Sequence, residues 1–282
     1  MQEMRTGVYV DLSNINQCGG FLLRFDVLRD FINKTSYDNL ALLNIYLAID
    51  SERCKSDSIY EKSAYEFHEL LRDMGYRVIE KKVKWYEYEG IQIPKSNADL
   101  DMAVDILLNS DKLHRVVLVT GDGDFVTVVH ALHQKGIRVE AIGFKNVSAS
   151  LRRTVDKFYS GYLIPNMLPI DFSDKISVAS REKPWGDIGS RVRGTCYCYI
   201  PEKAYGFLRV LNMKKAKPTN MNYLDPRHPL SPYDAIFFHG SDVEHLFSPE
   251  DLPNRDVIME FDILRDGPSK TKAKNFSVVY NY

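Results

Sequence analysis

Apolar and polar positions follow two different rhythms along the 282 residues. Through residue 165, short apolar runs alternate with helical spacing. GVYVD (7–11) and ALLNIYLAID (41–50) read as buried strands, and YEKSAYEFHELLRDM (60–74) reads as a helix stopped by Gly75. Residues 77–94 alternate apolar and charged side chains around Glu89-Gly90, the pattern of a strand running into a hairpin. A helix over 99–109, a strand in RVVLVTG (115–121), a helix over 124–135 and a strand in IRVEAIGF (137–144) follow. This β-α order predicts an α/β domain, a mostly parallel sheet with helices on both faces. Polar residues then dominate, and beyond them come short strands with turns: 191–200, 204–211, 234–241, 256–264 and 275–282. That is the signature of a small all-β barrel. The expected organisation is a first domain over 1–170, a linker over 171–186 and a second domain over 187–282. Residues 212–233, rich in Pro and Asn, read as a long, mobile loop.

Composition narrows the class. The chain is 44% hydrophobic and 27% charged, the profile of a globular protein and not of a disordered one. No apolar run reaches the ~18 residues of a membrane-spanning helix. The start, MQEMRTGVYVDLSN, lacks the apolar stretch of a secretory signal, and the four cysteines include no CxxC pair. The expected location is the cytoplasm, with neither a disulfide framework nor a zinc finger. A net charge of −1 excludes a globally basic nucleic-acid coat but not a local patch. No GxSxG, HExxH or P-loop segment is present.

The candidate chemistry is acidic. Asp11 ends the first strand, and Asp122 and Asp124 follow the strand VVLVT in TGDGDF. Loops beyond the carboxyl ends of parallel strands are where such folds bind ligands. On the helical wheel of NADLDMAVDILLNS, Leu100, Met102, Ala103, Val104, Ile106, Leu107 and Leu108 fill a broad apolar arc. Asp101, Asp105 and Asn109 take the polar arc, which places Asp99 on the apolar side in the first turn. Each acid alone has an ordinary explanation as a helix cap or dipole partner. Several carboxylates converging on one sheet end repel unless a cation joins them, and all-oxygen sites suit Mg²⁺ or Mn²⁺. His130 and His133, three apart, form a pair better suited to surface or packing roles than to a metal.

VYVDLSN, KSNADLDMAVDILL and VVLVTGDGDF resemble the three signature segments of the NYN domain, a PIN-like fold with a Rossmannoid sheet. The resemblance spans residues 5–165 and implies a metal-dependent ribonuclease acting through clustered aspartates. Carried over by motif, Asp11, Asp99, Asp122 and Asp124 are the metal-binding and catalytic acids, with Asn14 and Lys95 as their companions and Asp105 as the later helix acid. One extra residue stands between Lys95 and Asp99, and Gly123 replaces a small hydroxyl residue.

GTCYCYIPEKAYGFL (194–208) and Phe237-Phe238-His239-Gly240-Ser241 resemble the strands of a cold-shock domain, an OB-type barrel that binds single-stranded nucleic acid. The matching positions are Lys203, Tyr205, Phe207, Phe237 and His239. Cys198 stands at the family's tryptophan position, and Gly240 replaces an aromatic. Residues i and i+2 of a strand share a face, so these aromatics form either a base-stacking platform or ordinary core. Lysines 214, 215, 217, 270, 272 and 274 add phosphate contacts or are solvated loops. The leading expectation is a ribonuclease that captures single-stranded RNA, or single-stranded DNA, on the barrel and cuts it in the first domain. The competing class is a non-catalytic RNA-binding regulator with a vestigial metal site. A small-molecule phosphatase needs an acid two residues after its nucleophilic Asp, and Asp11 is followed by Leu12 and Ser13.

Overall fold

Apolar runs with both alternate sets of side chains hydrophobic can pair only where both sheet faces are covered, and that is how the first strands are used. In the computed structural model the chain forms two units, Met1–Phe21 with Asp38–Tyr159, and Leu22–Tyr37 with Ser160–Tyr282. The structure describes residues 4–36, 39–88, 91–170, 183–246, 248, 251–267 and 270–282, with the backbone alone at 88 and 91–95. Most of the expected linker, 171–182, lies outside the described residues.

The described elements in chain order begin with β1 (Arg5–Asp11), α1 (Leu12–Gln17), α2 (Phe25–Lys34), β2 (Asn39–Ile49), α3 (Ser51–Ser56), α4 (Ser58–Asp73) and β3 (Arg77–Lys82). The hairpin β4 (Lys84–Tyr88) and β5 (Ile91–Lys95) follows, then α5 (Ala98–Asn109), β6 (Arg115–Val119), α6 (Val126–Gln134), β7 (Arg138–Gly143), α7 (Ala149–Thr154) and β8 (Lys157–Ser160). The sheet order is β3-β2-β1-β6-β7-β8. Neighbouring strands from β3 to β7 are all parallel. Asp11, Asp50 and Thr120 therefore come to the same edge. Val116, Leu118, Val139 and Ala141 pack with Met102 and Ile106 of α5 and Val129 and Leu132 of α6. The alternate set, Val8, Val10, Val117 and Val119, is equally buried.

Two features differ from the sequence reading. Residues 25–34, to which the sequence reading assigns no element, form α2, burying Phe25, Leu28, Phe31 and Ile32. Their spacing of three, three and one is a legible helical stripe. The second difference is the rotation of α5. Ala98, Met102 and Ile106 face inward, while Leu100, Val104, Leu107 and Leu108 are exposed. This helix carries apolar side chains on opposite sides, Ala98 and Met102 on one and Leu100 and Leu107 on the other, so its own pattern does not choose a face. Polar ties choose it: Tyr46 donates to Asp105 at 2.8 Å and Lys81 pairs with Asp101 at 2.6 Å, drawing both acids toward β2 and β3. Asp99 is consequently an exposed acid and not one on the buried face.

In the second unit, β9 (Arg191–Ile200), β10 (Tyr205–Leu211), β11 (Tyr233–His239), β12 (Val257–Arg265) and β13 (Thr271–Asn281) close in the order β10-β11-β13-β12-β9. Closure removes the exposed edges that short strands otherwise present. Leu208, Val210, Ile236, Phe238, Met259, Phe261 and Ile263 fill the interior. Gly206 faces inward, where a Cβ would stand 2.6 Å from Cys198 O, so only glycine fits. Four outward charges of β9 and β12, Arg191, Arg193, Glu260 and Asp262, are also buried. Glu260 accepts from Arg191 Nε and Arg193 Nε, each at 2.8 Å, and Asp262 accepts from Arg191 Nη1 at 3.1 Å. Arg193 also donates to Pro169 O at 2.6 Å.

The long loop between β10 and β11 is built on specific bonds. Asn212 donates to Asp234 at 2.7 Å, Asn220 donates to Lys215 O at 2.9 Å, and Ser231 donates to Tyr223 O at 2.9 Å. Ala216 and Met221 are buried within it. Among the described residues no helix is long and apolar enough to cross a membrane.

Candidate functional site

The edge where β1, β2 and β6 end carries a cleft of ≈ 410 Å³, and Asp11, Asn14, Ser96, Asp99 and Asp122 are among the residues that line it. Asp11 reaches it because β1 passes into α1 without a loop. Its carboxylate caps that helix, accepting from Asn14 N at 3.0 Å, and accepts from the Thr120 hydroxyl at 3.4 Å. It is only 6% exposed. Burial first, then the Asp122 and Asp99 carboxylates, push its pKa above the ordinary carboxylate value.

Thr120 and Asn14 hold the loop after β6. The Thr120 hydroxyl accepts from Asp122 N at 3.2 Å, and Asn14 Oδ1 accepts from Gly121 N at 2.8 Å. Gly121 lies 3.2 Å, measured from an ideal Cβ, from Val147 Cα, so the loop packs tightly there. Asp122 caps the short turn that follows by accepting from Asp124 N at 3.0 Å. A Cβ on Gly123 would stand 2.8 Å from Ser148 Oγ, so a hydroxyl from another segment fills the space beside this glycine.

Asp11, Asn14, Asp99 and Asp122 thus meet on one cleft. Asp124 is exposed and outside its lining, tied in through its backbone N–H. Lys95 ends β5, and its side chain is outside the described ones. Asp105 is engaged by Tyr46. His130 is exposed, and His133 bonds Asp156 at 3.1 Å. Thr120 was not singled out from sequence, although a hydroxyl residue between a buried strand and Gly-Asp was a usable signal.

Donor chemistry fits a hard divalent cation, since the lining offers carboxylate, amide and hydroxyl oxygens. Among the described residues, however, no three His, Cys, Asp or Glu side chains are grouped closely enough to form a ready-made cage.

On the barrel, Tyr205, Phe207 and Phe237 are half-buried on the outer face, alternating with inward Gly206, Leu208, Ile236 and Phe238. The register pairs Phe207 with Phe237 and Tyr205 with His239. Ring centroids lie 5.6 Å apart for Tyr205–Phe237, 5.9 Å for Tyr205–Phe207 and 6.0 Å for Phe207–Phe237. These aromatics are a surface cluster and not core. Tyr197, missed in the sequence, joins at 6.4 Å from Phe207. A bulge between Phe207 and Leu208 shifts the register of β9 there, so strict alternation along the sequence could not place it. His239 is exposed, its Nδ1 2.8 Å from Ser241 Oγ, and Lys203 is exposed in the turn before β10. Asp225, held by Arg227, and Arg227 itself act electrostatically on the Tyr197 phenol, so the long loop borders the cluster. Of the flagged lysines, 214, 215, 272 and 274 are in ion pairs.

The NYN domain model matches residues 5–168. A curated relative, the low amplitude and bright protein LabA of Synechococcus elongatus, is 25% identical over 96 residues, covering 33% of this chain and 52% of its own. The chain thus spans about half the length of that relative. A crystal structure of a protein of unknown function from Vibrio parahaemolyticus shares 20% identity at a TM-score of 0.46, covering 57% of this chain and 96% of its own. With a match over more than half of its length, joining the strand-end aspartates to the loop TGDGDF, the chain belongs to the NYN domain family.

Proposed function

We propose that this protein is a Mg²⁺- or Mn²⁺-dependent ribonuclease that hydrolyses single-stranded RNA, with the barrel holding the strand. The observation that carries the reading is the convergence of Asp11, Asp99 and Asp122, from three separate segments, on one cleft, with Asp11 buried in the field of the other two. When bound, the ion supplies Lewis-acid polarisation of the phosphate and a hydroxide near neutral pH. Asp11, Asp99 and Asp122 would hold it, in part through water as Mg²⁺ prefers. Asn14 keeps the Gly121–Asp122 loop against Asp11. Asp124 orients Asp122 through its N–H, and Lys95 would offset charge on the scissile phosphate. Single-stranded DNA is a second substrate class, because stacking does not read the 2′-hydroxyl. Cytoplasmic residence belongs to the same proposal.

The absence of a ready-made cage among the described residues favours one rival, an RNA-binding protein whose site no longer takes a metal. Thermal unfolding separates the two. Burial and neighbouring carboxylates raise the folded pKa of Asp11 above its unfolded value. Its charge therefore costs stability above that folded value, and the cost disappears as pH falls through it. Near pH 7 without divalent ions, Asp11→Asn is expected to melt higher than wild type. Added Mg²⁺ or Mn²⁺ should raise the wild-type midpoint and leave the variant nearly unmoved. Equal midpoints with and without ions at millimolar concentration would sink the metal site.

For the barrel, Phe207→Ala and Phe237→Ala are each expected to weaken binding of a short oligoribonucleotide, by about 1–3 kcal/mol per base unstacked. Both rings are surface residues, so the fold survives. Unchanged affinity by fluorescence anisotropy in both variants would remove the platform from the reading.

A further inference from the structure

The β4–β5 hairpin stands at the same sheet edge as the acidic cleft, and its root is part of the cleft wall. Val83, just before β4, and Ser96, just after β5, both line the cleft, and Val83 N donates to Ile49 O at 2.9 Å at the end of β2. Just outside the root, Lys82, Lys84, Trp85 and Tyr86 are exposed, Trp85 by 44% and Tyr86 by 51%. The Trp85 indole N–H donates to Asp50 Oδ1, the N-cap of α3, at 3.4 Å, which anchors one edge of the ring. Two large rings left in water beside lysines are the ingredients by which proteins hold single strands: π-faces for bases and cations for phosphates. An acidic cleft repels a polyanion, so the cations that bring one in must stand on its rim. Lys82 and Lys84, both exposed, are the chain neighbours of Val83 in the cleft wall.

We infer that this hairpin is a strand-binding arm for single-stranded RNA, stacking a base on Trp85 or Tyr86 while Lys82 and Lys84 meet its phosphates. The inference rests on the nuclease reading of the cleft. Successive residues of a strand point to opposite faces, so the two rings serve opposite sides of the hairpin and the strand passes over one of them.

The test uses the full chain and a short oligouridylate. Without divalent ions, tryptophan emission is followed on RNA addition. The chain has two tryptophans, so subtraction of the Trp85→Leu signal isolates Trp85. With ions, cleavage is measured for wild type, Trp85→Leu and Tyr86→Leu. The expected result is a KM for cleavage raised about five-fold or more in one of the two variants, with kcat nearly unchanged. If that variant is Trp85→Leu, RNA also quenches the isolated Trp85 emission. Lys82→Gln with Lys84→Gln is expected to lower the salt slope of binding by about 1.4. Cutting with KM unchanged in both ring variants, without quenching, overturns the arm and leaves the nuclease standing. Quenching of Trp85 without any cutting sustains the arm and overturns the nuclease.

Discussion

Asp122→Asn is expected to abolish metal-dependent cutting of single-stranded RNA while leaving the protein folded. The choice rests on the two roles of this side chain. As a carboxylate it is one of three that meet in the cleft. As a cap it accepts from Asp124 N at 3.0 Å, and an asparagine oxygen accepts that bond as well. The substitution therefore removes a charge, and one of the oxygens proposed to hold the metal, without removing the turn. Loss of a metal ligand is expected to lower turnover at least as far as loss of a single transition-state donor, about 10²–10³-fold. The measurement is cleavage of labelled RNA and DNA with Mg²⁺ or Mn²⁺, with circular dichroism to confirm the fold. Full activity in a folded variant would exclude Asp122 from the chemistry. Binding of RNA by both proteins with cutting by neither would move the protein to the class of RNA-binding regulators.

Glu260→Ala is expected to unfold or strongly loosen the barrel. Glu260 accepts from two arginines, and both are almost fully buried with it. Removing the shared anion leaves Arg191 with Asp262, Asn275 O and Ser277, and Arg193, among the described residues, with the Pro169 carbonyl and the Tyr162 ring. Breaking a buried ion pair from one side costs about 3–5 kcal/mol, a large share of the stability of a small domain. Urea denaturation of the full chain reads the effect. A change below about 1 kcal/mol would show that the arginines find water once the glutamate is gone. Replacing all three by apolar residues of similar volume is a different experiment, because such swaps are often neutral.

Much of the fold is legible in the chain alone. Residues 7–11 and 115–119 carry apolar side chains at both parities, which demands a strand covered on both faces. The β-α order then leaves a parallel sheet as the simple solution. All five barrel strands also stand out, since each is a short apolar run between Gly, Pro or Asn turns. That Asp11 and Asp122 share the cleft was legible for a related reason. Acids directly after buried strands of a parallel sheet must sit at its carboxyl edge, whatever the loops do.

Other features depend on which neighbours arrive. The helix Ala98–Asn109 carries apolar side chains on opposite sides, so periodicity alone turned the wrong arc inward; Tyr46 and Lys81, from distant segments, choose its face. Tyr197 reaches the aromatic cluster through a bulge that breaks the two-residue period. Arg191, Arg193, Glu260 and Asp262 look like a solvated strand face, yet pair with one another out of water. Local pattern determined which segments become strands or helices, because backbone periodicity is short-ranged. Tertiary contact alone decided which face is buried, which acids are neutralised and which stay to share the cleft, because those depend on partners up to about a hundred residues away, as the bond from Thr120 to Asp11 shows.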